Sequence, residues 1–205
     1  QMSAVLAHEI RNPLASLKGN AQILQKLIAK GEASRDKAQK KSDRVVSEAL
    51  RLEKLVNNLL AFAKSGDVKP APCELAPWID ELRAEVDGKR LEVDISAAPA
   101  RWTLDAPRMH QVLSNLIRNG LQAGSSVKLS LRERSGALDM SVVDDGPGFE
   151  GDPSTLFDAF HTRKTHGTGL GLAVAKRLVE LHNGRIEARN HSEGGAEFRI
   201  RIPKA

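Results

Sequence analysis

Apolar positions recur along this chain at two different periods, and the change between them falls near residue 78. In residues 1–65, Ala7, Ile10, Leu14, Leu17, Ala21, Leu24 and Ile28 are spaced three and four apart, as in a heptad seam. Val45, Ala49, Leu52, Val56, Leu59 and Ala63 repeat that spacing. Two long helices are predicted, with Gly31 a stop for the first and Ser34 an N-cap for the second. They form an antiparallel hairpin. One hairpin covers two apolar seams poorly, so two copies are expected to pair as a four-helix bundle.

Residues 66–77 (GDVKPAPCELAP) hold three prolines and a glycine and read as a linker, with room for a short strand near Cys73. Beyond them strands and helices alternate. The segment WIDELRAEV from Trp78 suggests a helix, and Leu91, Val93 and Ile95 alternate as in a strand. Residues 107–123 place Met109, Val112, Leu113, Leu116, Ile117 and Gly120 on one helical face. Val127–Leu131 and Leu138–Val142 form a hairpin across a Ser-Gly turn, and residues 169–182 a helix ended by Asn183-Gly184. A second hairpin joins the segments around Ile186 and Phe198. The expected fold is an all-α hairpin followed by an α+β sandwich, a mixed sheet with helices on one face. The expected boundaries are 1–66 for the hairpin, 67–77 for the linker and 74–205 for the second domain.

Composition narrows the chemistry. The 205 residues carry only two Trp, five Phe and no Tyr, which disfavours sites that stack many bases on aromatic rings. One cysteine, Cys73, excludes an internal disulfide framework. No apolar run approaches the 18 residues of a membrane span. The net charge is +5, but the densest basic cluster, Lys37, Lys40, Lys41 and Arg44, has Asp36 and Asp43 among it. It reads as a solvated helix face and not as a nucleic-acid or membrane surface. The chain opens with Gln1 already inside a helical pattern, as expected of a fragment of a longer protein.

Four segments carry candidate chemistry, each with a plainer reading beside it. In HEIRNPL (8–14), His8 lies beside the apolar seam, and Pro13 removes an N–H and is expected to bend the helix. A neutral imidazole is a nucleophile, and the carboxylate of Glu9 can take the proton from one ring nitrogen while the other attacks. An ordinary surface histidine beside a tolerated proline fits equally well. On the helix at 107–123, Arg108, Gln111, Asn115, Asn119 and Gln122 form a polar stripe. Two asparagines in mid-helix are poor choices for a plain surface, and amide oxygens suit Mg²⁺. In DDGPGF (144–149), glycines let the backbone approach a ligand, and a carboxylate at a strand end can accept from an amino group such as that of adenine. A tight turn is the alternative. HGTGLGL (166–172) alternates three glycines into a helix start, where free N–H groups favour a polyphosphate. It is neither a P-loop nor a dinucleotide fingerprint.

In order, HEIRNPL, QVLSNLIRNG, DDGPGF, LFDAFHTRK and GTGLGL closely resemble the two-domain transmitter core of bacterial sensor histidine kinases, over nearly the whole chain. The resemblance implies a HisKA-type dimerisation and phosphoacceptor hairpin followed by a GHKL-type ATP-binding domain. It makes His8 the phosphorylated histidine, Glu9 its base and Asn12 the residue orienting water for dephosphorylation of a partner. It makes Asn119 the Mg²⁺ ligand, with Asn115 and Arg118 beside the nucleotide. Asp144 then reads the adenine amino group, and Gly146 and Gly148 line the adenine. Phe157 and Phe160 match the aromatic box beside the lid. Lys164 within the lid is placed to reach the γ-phosphate, a freely solvated lysine being the alternative. Gly167, Thr168, Gly169, Leu170, Gly171 and Leu172 match the phosphate-side box.

There are departures. Gly120 stands where Ala is usual after the metal asparagine, and is expected to loosen the site. Gln122 replaces a frequent Lys, His161 a frequent Phe or Tyr, and the segment from Phe160 to Gly167 is short. The activity implied is transfer of the γ-phosphoryl group of ATP to His8 with Mg²⁺, and then to an aspartate of a response regulator receiver domain, in a homodimer built through residues 1–66. ATP and His8 belong to different domains, and the proline-rich linker is the expected hinge. A cytoplasmic location is implied, whether or not the parent is membrane-anchored. The alternatives are a GHKL ATPase without autophosphorylation, a degenerate scaffold and a phosphatase-dominant member.

Overall fold

In a computed structural model of the chain, residues 2–29, 35–63, 68–86, 90–159 and 169–204 are described. The chain divides into two compact units, Gln1–Ala63 and Lys64–Ala205. The first holds α1 (Met2–Ala29) and α2 (Arg35–Ala63), packed against each other. α1 is one continuous helix with Pro13 inside it. The predicted stop at Gly31 and cap at Ser34 lie outside the described residues. Polar bonds join the two helices. Ser16 Oγ donates to Glu48 (3.3 Å), and Lys41 Nζ donates to Asn20 Oδ1 (3.2 Å).

Burial within this unit departs from the predicted seams. Pro13 and Leu55 are buried, while the seam residues Leu14, Ile28 and Val56 remain 49%, 65% and 45% exposed. Val46 and Leu50 are exposed as well. The apolar stripe is wider than one partner helix can cover.

The second unit starts earlier than its predicted first helix. Ala71–Glu74 form β1, and α3 runs over Leu75–Ala84, so the proline-rich segment is structured from residue 71 onward. β1 pairs antiparallel with β3 (Arg101–Leu104), a strand the alternation pattern does not reveal, because four residues are too few to show a period. A bond from the Leu75 N–H to the Ala100 carbonyl (3.0 Å) sets the start of α3.

The main sheet has the order β2 (Leu91–Ala97), β4 (Val127–Arg134), β5 (Ala137–Asp144), β7 (Ala196–Pro203), β6 (Arg185–Asn190). β2 (Leu91–Ala97) runs parallel to β4 (Val127–Arg134), and all other pairs are antiparallel. A parallel pair needs a crossover, and α4 (Ala106–Ala123) lies within it. β4 turns into β5 (Ala137–Asp144) through Ser135 and Gly136, both with positive φ (50° and 70°), as a tight hairpin requires. α5 (Gly171–Leu181) precedes β6 (Arg185–Asn190) and β7 (Ala196–Pro203). It ends where predicted, with Asn183 in the left-handed region and the Gly184 N–H bonded to Val179 O.

Inward residues of the strands, among them Leu129, Leu131, Met140, Val142 and Ile200, form one core with the apolar faces of α4 and α5. The other face of the sheet is polar. On it Glu197, only 3% exposed, accepts from Ser141 Oγ (2.8 Å), Arg189 Nε (2.5 Å) and Arg199 Nε (2.6 Å). Burial opposes its charged form, but the bonds from Arg199, Arg189 and Ser141 outweigh it and bring the carboxyl down to about 2.

Because the folded value is depressed from 4.5, Glu197 stabilises the fold fully above that pH. The contribution is lost as pH falls toward about 2. Glu197→Gln is expected to cost roughly 1.5–3 kcal/mol at pH 7 and to flatten the acid limb of stability. Urea unfolding as a function of pH measures both.

Candidate nucleotide site and phosphoacceptor helix

α4 supplies the polar stripe read from the sequence, and both its ends are pinned. Asp105 caps its start, with Oδ1 accepting from the Arg108 N–H (3.2 Å). The same carboxylate accepts from the Lys69 N–H (2.9 Å), and the Asp105 N–H donates to His182 Nε2 (3.0 Å). His182 Nδ1 in turn lies 2.7 Å from the Leu178 carbonyl and donates to it, so the buried ring is held in one tautomer. At the far end the Arg90 guanidinium donates to the carbonyls of Leu121 (2.9 Å), Gly124 (2.8 Å) and Ser125 (2.8 Å), a cation on the negative end of the helix. Asn115 and Asn119, one turn apart, are half-buried, and Arg118 and Gln122 are exposed. The Asn119 side chain makes no hydrogen bond among the described residues, which leaves its amide oxygen open.

Gly120 is buried where α4 crosses the end of the β4–β5 hairpin. A Cβ there would lie 2.7 Å from Val127 Cγ2 and 3.1 Å from Asp144 Cβ, and Val127 and Asp144 are paired in register. Where a loosened site was expected, the missing methyl lets α4 settle against a β-branched residue.

Asp144 ends β5 and is 6% exposed. Its Oδ1 accepts from the Gly146 N–H (3.0 Å) and the Ala196 N–H (3.2 Å). Oδ2 has no hydrogen bond among the described residues, so one oxygen is fixed and the other is free to accept. Asp145 turns outward and ties down the segment after α4. It accepts from the N–H groups of Ser125 (2.7 Å) and Ser126 (2.9 Å) and from both hydroxyls. These bonds, the Ser125 hydroxyl first among them, hold its carboxyl well below the usual carboxylate range.

At both predicted adenine-lining glycines the missing Cβ faces protein. At Gly146 it would meet Asp144 Oδ1 (2.9 Å) and the Ala123 carbonyl (3.0 Å). At Gly148, with φ of 75°, it would meet the side-chain oxygen of Asn190 (2.6 Å). Gly195, with φ of 83°, lies so close that a Cβ would overlap the Asp144 carbonyl oxygen. Gly195 and Asn190 were not legible as site residues, since a turn glycine and a strand-end asparagine carry no local signal.

The phosphate-side box is described from Gly169 onward. Gly169 has φ of 61°, Leu170 is buried, and Gly171 and Leu172 open α5. The first intrahelical bond runs from the Val174 N–H to Leu170 O, so the N–H groups of 171–173 have no intrahelical acceptor. A Cβ on Gly171 would lie 2.6 Å from the Asn115 amide, so the helix start and the polar stripe meet here. Phe157 is buried, edge-on to Phe198 at 6.4 Å and under Lys176 Nζ at 5.8 Å. Phe160, Lys164, Gly167 and Thr168 lie outside the described residues. In the other unit His8 and Glu9 fall within α1, with side chains outside the description, and Asn12, one turn after His8, is exposed.

A layered sheet with a polar helical stripe, a half-satisfied buried aspartate and a glycine-opened helix start defines an ATP-binding fold. Residues 104–205 match the family model described as histidine kinase-, DNA gyrase B-, and HSP90-like ATPase. Residues 1–67 match the His Kinase A (phospho-acceptor) domain. The chain belongs to the histidine kinase family, as a transmitter core that joins these two domains. It is 32% identical to the sensor protein kinase PilS of Pseudomonas aeruginosa, over 98% of this chain and 40% of that protein. It is 30% identical to the sensor histidine kinase ZraS of Escherichia coli, over 98% of this chain and 45% of that one. The chain thus spans less than half the length of both relatives. Among solved structures, histidine kinase ThkA in complex with response regulator protein TrrA matches with TM-score 0.81 and 25% identity, over 100% of this chain and 61% of that one. Full-length ShkA in complex with AMPPNP matches with TM-score 0.70 and 27% identity, over 98% of this chain and 45% of that one.

The Gly120–Val127 contact predicts a coupling. Gly120→Ala gains about 1 kcal/mol of helix propensity but overpacks the junction by roughly 1–3 kcal/mol, for a net loss of up to about 2 kcal/mol. In a Val127→Ala background the same change is expected to cost less, with only the 3.1 Å approach to Asp144 Cβ remaining. A double-mutant cycle by chemical denaturation reads the coupling.

Proposed function

We propose that the chain transfers the γ-phosphoryl group of ATP to His8 and passes it on to an aspartate of a response regulator receiver domain. The observation that carries this is the Asp144 carboxylate, with Oδ1 held by two backbone N–H groups and Oδ2 free. A buried acceptor fixed in this way suits the exocyclic amino group of adenine. In this reading Asn115, Asn119, Arg118, the helix start at Gly169–Leu172, Lys164, Gly167 and Thr168 bind the triphosphate, and Phe157 and Phe160 serve as the aromatic box. Gly146 and Gly148 shape the adenine side. The amide oxygen of Asn119 fits a Mg²⁺ ion, which takes oxygen ligands and keeps water and phosphate in its shell; bound there it neutralises phosphate charge.

In the transfer, one nitrogen of the His8 imidazole forms a bond to the γ-phosphorus as the bond from that phosphorus to the β–γ bridging oxygen breaks, and ADP leaves. Glu9 takes the proton from the other ring nitrogen. The protein contributes positioning and charge stabilisation. In the second half-reaction the phosphoryl group moves from His8 to a carboxylate oxygen of the receiver, and Asn12 orients water when the phosphoryl-aspartate is hydrolysed. The ThkA complex with TrrA supports a receiver partner, and the ShkA complex with AMPPNP supports the nucleotide.

The exposed Leu14, Ile28, Val46, Leu50 and Val56 support a homodimer through residues 1–66. The hairpin is taken as 1–66, the linker as 67–77 and the ATP-binding domain as 74–205. No described helix is long and apolar enough to cross a membrane. The reaction places the chain on the cytoplasmic side, where ATP is.

With γ-labelled Mg-ATP the chain is expected to incorporate acid-labile, alkali-stable label, and His8→Gln to incorporate none. Label persisting in His8→Gln would remove the acceptor assignment. Asp144→Asn is expected to weaken ATP binding about tenfold or more while the dimer persists. Calorimetry and sedimentation read the two effects separately.

A further inference from the structure

The loop that follows Asp144 is gripped at its far end by one side chain from another strand. Asn190, the last residue of β6, accepts from the Phe149 N–H through Oδ1 (2.9 Å) and donates to the Phe149 carbonyl through Nδ2 (2.8 Å). Both backbone polar groups of Phe149 are thus satisfied by a single amide, as a neighbouring strand would satisfy them. The fit is close. Gly148 takes φ of 75°, and a Cβ there would lie 2.6 Å from Asn190 Oδ1 and 3.2 Å from Gly195 O. The backbone therefore reaches Asn190 only because residue 148 lacks a side chain.

The near end of the loop is held by the same β6–β7 turn. Ala196 N–H binds Asp144 Oδ1, and the His191 N–H bonds to Gly195 O (2.9 Å), closing the turn that Asn190 begins. One turn thus fixes Asp144 at the start of residues 144–149 and Phe149 at their end. Between them Asp145 is tied to Ser125 and Ser126. Gly146, Pro147 and Gly148 span the gap.

We propose that Asn190 is a positioning residue of the nucleotide site, acting through Phe149 to preset the 146–148 backbone for adenine before the nucleotide arrives. This rests on the ATP reading of the same site. An isolated loop rich in glycine would be ordered only on binding, at the expense of affinity. Asn190 carries that ordering in advance. It acts on the loop and not on the phosphate-side elements, so it sets how tightly ATP is held and not how fast the bound phosphoryl group moves. The amide is required as an amide: aspartate keeps the acceptor for the Phe149 N–H but loses the donor and turns a carboxylate oxygen toward the Phe149 carbonyl.

The test compares the full chain with Asn190→Ala and Asn190→Asp. Mg-ATP binding is measured by calorimetry, autophosphorylation across ATP concentration, and exchange of the Phe149 amide in the nucleotide-free protein. Both variants are expected to bind ATP about tenfold more weakly, with KM raised in step and the rate at saturating ATP within about twofold of the parent. The Phe149 amide is expected to exchange faster in Asn190→Ala. An unchanged ATP affinity in both variants, or a saturating rate that falls as much as the affinity, would overturn the proposal. An unchanged Phe149 exchange rate would overturn the clamp itself. If the unsubstituted chain bound no ATP, the reading of the site as a nucleotide site would fall first; an affinity lost only in a variant that no longer unfolds cooperatively would mark Asn190 as a folding residue and overturn its positioning role.

Discussion

Burial of a single carboxylate organises the nucleotide-binding unit. A charge withdrawn from water must be met by donors, and Asp144 meets its donors from two separate segments, Gly146 in its own loop and Ala196 at the head of β7. Bringing both within hydrogen-bond reach requires backbone to close on the end of β5 from several sides. At Gly120, Gly146 and Gly195 that closure leaves no room for a Cβ. The glycine after Asn119 is therefore a packing solution: Val127 occupies the space that an alanine in α4 would need.

The same economy appears around α4. Its first turn is capped by Asp105, which also holds the backbone at Lys69 and is itself held by His182. Its last carbonyls are capped by Arg90, and the segment beyond by Asp145. A helix fixed at both ends and packed along one apolar face has little freedom left. That rigidity holds short polar side chains such as Asn115 and Asn119 in fixed positions. The opposite face of the sheet is organised differently, with cross-strand ion pairs centred on the buried Glu197.

The hairpin unit presents the reverse situation. Its two helices pack and exchange hydrogen bonds at Ser16–Glu48 and Asn20–Lys41, yet large apolar side chains remain in water. His8 belongs to the helix that also carries the exposed Leu14 and Ile28.

Much of this was legible from residue order alone. Heptad spacing specified two helices, because the period of a helix is local. The alternation at 127–131 and 138–142 specified a hairpin, and Ser135-Gly136 its turn, because positive φ is a property of particular residues. The five boxes pointed to Asp144, Asn119 and the helix start at Gly171. Other features had no local signature. β3 exists only because β1 lies beside it, and the burial of Pro13 and Leu55 in place of Leu14 and Val56 depends on where partner helices come to rest. The roles of Gly195 and Asn190 were decided by tertiary structure: each acts on residues more than 40 positions away, and only folding of the sheet brings those atoms within reach.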